Sequence, residues 1–218
     1  MAEGAALSRE SDRVADDLRH MIITLELKPG DIVSEAYLGE LLECGRTPLR
    51  EALQRLSQEY LIEIIPRRGI AITDLTVIDL VDLVEALVLM ESFSARLATE
   101  RISDQDLQRL EAVVAEAEQM ANEATFTSVA ALDFRFHHVI AEATGNRFLA
   151  DTIARWHRLG TRFAYVAWQR QGSAVPSLAE HREILAAFKN RDPDEAERLT
   201  REHTLNARER ITSSFSKG

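Results

Sequence analysis

Residues 61–73 carry one short β-hairpin signal in a chain otherwise written with helical periodicity. Leu61 to Ile65 reads as a strand, Pro66-Arg67-Arg68-Gly69 as a turn, and Ile70 to Thr73 as the return strand. Upstream, Val14, Leu18, Met21, Ile22 and Leu25 recur at three- and four-residue steps, so Asp12 to about Glu26 reads as an amphipathic helix stopped by Lys28-Pro29-Gly30. Ser34 is the expected N-cap of a short second helix carrying Leu38, Leu41 and Leu42. After a break at Glu43-Cys44-Gly45, Thr47-Pro48 reads as the cap and first position of a third helix, with Leu49, Ala52, Leu53 and Leu56 on its buried face. Three helices followed by a hairpin outline a winged helix-turn-helix over residues 1–75.

From Thr76 onward the sequence has no strand signal. Thr76 with Asp79, and Ser103 with Asp106, make capping pairs that open two helices, the second ending near Asn122. Further helices are expected from about Thr127 to Ala143, from Arg147 to Arg170, from Ser177, and from Asp192-Pro193 to about Ile211. Residues 76–218 are therefore expected to form an all-α antiparallel bundle of six or seven helices.

Composition narrows the function. One cysteine, Cys44, excludes an intrachain disulfide and a four-cysteine metal site, and fits a reducing, cytoplasmic setting. No apolar run approaches the ~20 residues of a membrane-spanning helix, and Met1 to Ser8 lacks the basic and apolar regions of a secretory signal. The net charge of −10 argues against indiscriminate nucleic-acid binding. It leaves room for a local basic surface: between Cys44 and Ile70, five arginines face three acids.

Arg46 and Arg50 lie one turn apart at the start of the third helix, where a helix entering the major groove meets base edges. Arginine grips guanine in a bidentate way, worth roughly 1–3 kcal/mol of discrimination. Thr47 and the helix start suit phosphate. Arg67 and Arg68 at the hairpin tip can reach an adjacent groove, with Gly69 allowing close approach. Spacing alone equally allows a solvated face, with Arg50 paired to Glu51 and Arg55 to Glu59.

The stretch Leu27-Lys28-Pro29-Gly30-Asp31, Ser34-Glu35, Leu38, Gly45-Arg46-Thr47-Pro48-Leu49-Arg50-Glu51-Ala52-Leu53, Arg55-Leu56 and Pro66-Arg67-Arg68-Gly69 resembles the DNA-binding domain of GntR-family repressors. The resemblance implies base-reading roles for Arg46 and Arg50, a phosphate contact at Thr47 and a wing tip at Gly69. It also implies a homodimer on a short pseudo-palindromic operator of TGT…ACA character. Two departures stand out: Glu43 where the family has glycine, and Gly45 where it has serine. Cys44 replaces a usual aliphatic residue and reads as a small core side chain.

In the second region, Asp133 and His137 share a helix face beside Phe136, Ile140 and Ala143. His181 precedes Ile184 and Leu185, and His203 lies between Leu199 and Leu205. A buried carboxylate and imidazoles need partners, and a divalent metal supplies one. Spacing alone does not join the four; each histidine taken singly, and His20, His138 and His157 with them, reads as a surface or hydrogen-bonded residue.

The pattern Asp133-x-x-Phe136-His137-x-x-Ile140-x-x-Ala143-x-Gly145-Asn146, then Glu180-His181-x-x-Ile184-x-x-Ala187, Arg191-Asp192, Ala196 and Arg201-x-His203 resembles the FCD effector domain of the FadR-type branch. That resemblance implies a divalent cation, often zinc or nickel, on Asp133, His137, His181 and His203, with a small metabolite effector above it. Relatives place an arginine four residues before the glutamate aligned with Glu91; here Leu87 stands there. Arg135, Asn146, Arg162 and Tyr165 are then candidate effector contacts. The whole reads as a transcription regulator, and the family resemblance implies a repressor. The alternative is a metal-dependent enzyme with an N-terminal docking module, but no His-Glu-x-x-His motif accompanies the histidines.

Overall fold

The computed structural model describes residues 2–120, 125–171 and 178–215, and divides into two compact units, residues 1–75 and 76–218. The first unit contains α1 (Ala2–Ile23), β1 (Ile32–Val33), α2 (Glu35–Leu41), α3 (Arg46–Gln58), β2 (Ile62–Ile65) and β3 (Gly69–Ile72). The second contains α4 (Val77–Arg101), α5 (Asp104–Met120), α6 (Phe126–Ala143), α7 (Arg147–Gln171), α8 (Leu178–Lys189) and α9 (Pro193–Phe215).

In the first unit, Val14, Leu18 and Ile22 of α1 are buried with Leu49, Leu53 and Leu56 of α3. Each such side chain contributes about 1.5–3 kcal/mol on leaving water. Arg19 clamps Glu59 through two 2.8 Å hydrogen bonds, Nε to Oε2 and Nη2 to Oε1, so a bidentate ion pair ties α1 to the end of α3. The sequence had offered Glu59 to Arg55; Arg55 instead pairs with Asp12.

The hairpin of β2 and β3 forms, and a strand that the sequence reading lacked joins it. β1 pairs antiparallel with β3, Ile32 opposite Ala71 and Val33 opposite Ile70, giving the order β1-β3-β2. Two residues leave no alternation to read. α1 starts at Ala2 rather than Asp12, because the alanine-rich start favours helix. It ends at Ile23, before the proline, where Leu25 takes a left-handed φ of 61°. α3 starts two residues earlier than expected: Gly45, not Thr47, is its cap, and Thr47 lies inside the first turn. Pro48 still fits, since first-turn N–H groups have no helical acceptor.

In the second unit the capping residues fix the helix starts. Thr76 and Asp79 bond reciprocally, Asp106 N–H donates to the Ser103 hydroxyl, and Glu195 N–H donates to Asp192. α6 begins at Phe126, capped by Thr125 rather than opening near Thr127. The expected helix end at Asn122 and the expected helix start at Ser177 lie outside the described residues. Phe136, Phe188, Ile184 and Leu110 fill the core, where Ala95 and Ala98 of α4 and Ala196 of α9 join them as small buried residues.

Candidate DNA-reading surface and candidate metal centre

Ser34 caps α2 by accepting from Tyr37 N–H, and the turn from Leu42 to Gly45 delivers α3. Glu43 holds that turn at φ 47°, a left-handed conformation. This explains why glycine suits the position. With Leu49, Ala52, Leu53 and Leu56 buried, Arg46, Thr47 and Arg50 face solvent. Arg50 Nε lies 3.0 Å from Glu35 Oε2, rather than pairing with Glu51. Such an exposed pair is worth at most about 1 kcal/mol, so a phosphate or base can replace it. Arg67 and Arg68 are exposed at the hairpin tip, and Arg68 N–H closes the turn on the Ile65 carbonyl at 3.0 Å. Gly69 serves the fold first: at φ 118°, a Cβ there would lie 2.5 Å from the Val33 carbonyl oxygen of β1. Cys44 is half-buried, and burial pushes its thiol up, away from the reactive thiolate.

In the helical unit, α6 contributes Asp133 and His137, α8 His181 and α9 His203. One ligand atom from each can be chosen so that all lie within 4.8 Å of one another. His137 Nε2 stands 3.2 Å from His203 Nε2, and His181 Nε2 stands 3.3 Å from Asp133 Oδ1. Cation–nitrogen bonds of 2.0–2.1 Å in a tetrahedron set ligand atoms about 3.3 Å apart. Glu180 Oε2 accepts a hydrogen bond from His203 Nδ1–H at 2.7 Å, which leaves Nε2 with its lone pair. Arg210 and Asn206 in turn hold Glu180, and together these donors draw its carboxyl down to about 2 against the effect of burial. His181 is fixed by stacking on Phe136, with ring centroids 4.1 Å apart.

The electrostatics suit a cation. Burial holds His137 well below the usual imidazole range and lowers His181, so both keep a lone pair at neutral pH. Burial alone would raise Asp133; the imidazole of His181, 3.3 Å away, and those of His157 and His137 override it, and the carboxylate stays ionised. Asp133 Oδ1 and His181 Nε2 are buried without a well-aligned hydrogen bond among the described residues. Two facing lone pairs and an orphaned carboxylate oxygen fit a divalent ion.

A cavity of about 100 Å³ opens beside these groups. Leu80, Leu83, Val84, Leu87, Phe126 and Ile211 wall it, and Glu91, Asp133, His137, His157 and His203 give it a polar end. Leu87 is thus part of an apolar wall. Arg135, Asn146, Arg162 and Tyr165 are not among its lining residues. Arg135 bonds Glu116, Asn146 caps α7 through Phe148 N–H, Arg162 is fully buried, and Tyr165 packs edge-on against Phe126. Sequence reasoning passed over His157, whose Nε2 lies 3.3 Å from Asp133 Oδ2. It also gave no role to Glu91 or Glu180. His138 pairs with Glu142 and His20 is exposed.

A winged helix-turn-helix joined to a helical unit with a His/Asp centre defines a class of DNA-binding regulators with an effector domain. A family model for bacterial regulatory proteins of the gntR family matches residues 10–72, and one for the FCD domain matches residues 82–206. The chain belongs to the GntR family, in the branch that carries an FCD domain. It is 28% identical over 175 residues to the Nta operon transcriptional regulator of Aminobacter aminovorans, covering 80% of this chain and 81% of that protein. It is 24% identical to the HTH-type transcriptional repressor RspR of Escherichia coli K12, covering 85% and 82%. The solved structure of E. coli McbR/YncC superposes with a TM-score of 0.77 at 21% identity, covering 95% of this chain and 98% of that one. A putative GntR regulator from Rhodococcus sp. RHA1 gives 0.75 at 23%, covering 94% and 98%.

Proposed function

We propose that this DNA-binding transcription regulator represses a metabolic operon as a cytoplasmic homodimer, and that a small metabolite beside a divalent cation tunes its operator affinity. The observation that carries the reading is the exposed turn of α3, where Arg46, Thr47 and Arg50 stand on a helix whose other face is buried. Two such helices suit the half-sites of a pseudo-palindromic operator. Arg67, Arg68 and the Gly69 turn add the wing contact. The net charge of −10 keeps nonspecific binding low while these arginines act locally.

In the helical unit, Asp133, His137, His181 and His203 would hold the cation, with zinc or nickel suited to three nitrogens and one oxygen. The cation supplies a Lewis-acid contact for a donor group of the effector. Leu87 and its neighbours set an apolar wall for the rest of the molecule. Ligand binding changes DNA affinity only by its unequal affinity for the two arrangements of the dimer, on the usual scale of ~1–3 kcal/mol. The family and the named relatives are regulators, and nothing among them supports a metalloenzyme.

Fluorescence anisotropy on a protected promoter fragment tests the reading. Arg46→Ala and Arg50→Ala should each weaken specific binding by roughly 1–3 kcal/mol, about 5- to 150-fold, with an unchanged thermal melt. Full operator affinity in either variant would sink the assignment of α3.

A further inference from the structure

The polar end of the cavity holds a second group of donors, which has one ring, His137, in common with the four-residue centre. Glu91 of α4, His137 of α6 and His157 of α7 offer ligand atoms that lie within 4.8 Å of one another. Glu91 Oε1 stands 3.5 Å from His137 Nδ1, close to the ~3.3 Å edge of a tetrahedral cation site. Glu91 is 4% exposed, and its Oε1 is buried with no hydrogen-bond partner among the described residues. Its other oxygen accepts from the Thr204 hydroxyl at 2.9 Å, which turns Oε1 toward His137. His157 is positioned by Asp133 Oδ2, and its Nδ1 is also buried without a hydrogen-bond partner among the described residues. All three residues line the cavity, so an ion has a way in.

We infer that Glu91, His137 and His157 form a second divalent-cation site that shares the His137 ring with the first. His137 meets the first centre through Nε2 and the second through Nδ1. When both are filled, His137 releases its remaining ring proton to solvent and bridges the two ions as an imidazolate. Charge then balances. The first ion with ionised Asp133 carries a net +1. The second ion adds +2, offset by ionised Glu91 and the imidazolate, so the buried centre stays at +1. That residual charge, facing an apolar wall, favours an effector with an anionic group that can span both ions.

The inference rests on the first site proposed above, and the test separates the two. Apo protein is titrated with Zn²⁺ by calorimetry, and bound metal is counted by elemental analysis after gel filtration. Wild type should take up two ions per chain. Glu91→Gln and His157→Gln should each take up one, with unchanged helix content by circular dichroism. His181→Gln/His203→Gln, which breaks only the first centre, should also keep one ion. One ion in wild type that is lost in His181→Gln/His203→Gln but untouched by Glu91→Gln overturns this inference alone. So does a second equivalent that survives both Glu91→Gln and His157→Gln. No bound ion in wild type overturns both sites.

Discussion

On α3, Arg50 keeps 65% of its side chain in water, whereas His137 in the helical unit keeps 5%. The two environments divide function from folding in opposite ways. The α3 arginines sit on a helix already held by its buried leucines, so removing them takes away a contact without taking away the fold. The helical centre buries His181 Nε2 and Asp133 Oδ1, which have no hydrogen-bond partner among the described residues. There, binding an ion and stabilising the unit are one quantity.

The largest break in that comparison should come from metal. A cation that binds only the folded chain, at free concentrations near a thousand times its Kd, adds about 4 kcal/mol. For a domain of this size that raises Tm by roughly 10 °C. Zinc addition and chelation, followed by scanning calorimetry, should move the melt of wild type, Arg46→Ala and Arg50→Ala alike. An unmoved wild-type melt would mean the buried centre is satisfied without an ion.

A smaller effect should follow from Glu180, which orients His203 without lining the cavity. Glu180→Gln should weaken zinc binding about 10–100-fold, read by competition with a chromogenic chelator. The same change should alter the acid limb. The folded Glu180 carboxyl sits at about 2, below its ordinary 4.5. Its contribution is therefore complete above pH 4.5 and is lost as pH falls toward 2. In denaturation series, Glu180→Gln should flatten stability in that window and leave the curve above pH 5 parallel to wild type. A variant as steep as wild type between pH 4.5 and 2 would show that Glu180 braces nothing.

What the sequence made legible follows the same division. Ser34, Thr76, Ser103 and Asp192 could be read as caps because capping is local chemistry between a side chain and backbone three residues away. Strand β1 could not, since its partner lies about forty residues downstream and its two residues carry no period. Asp133 and His137 were readable as neighbours, being one turn apart. His181 and His203 joined them only through resemblance, because no spacing links helices that meet by packing. His157 was hidden by its setting: flanked by Arg155, Trp156 and Arg158, it looks like part of a solvated face, and only the packing of α7 turns it inward. Glu180 was hidden by adjacency, since neighbours on a helix face different ways and it serves His203 rather than His181.

The smallest expected effect sharpens the comparison from the side of the first unit. Glu43 holds φ at 47° in the turn that delivers α3. A side chain in that region costs about 1–2 kcal/mol, and glycine returns part of this through its larger unfolded-state entropy. Glu43→Gly should therefore stabilise the unit of residues 1–75 by about 0.5–1 kcal/mol. Zinc affinity should stay unchanged, because the turn shares no group with the buried centre. Urea denaturation checks the sign. A loss of stability would mean that the Glu43 side chain supplies something its backbone strain conceals, and that the turn is set by more than local conformation.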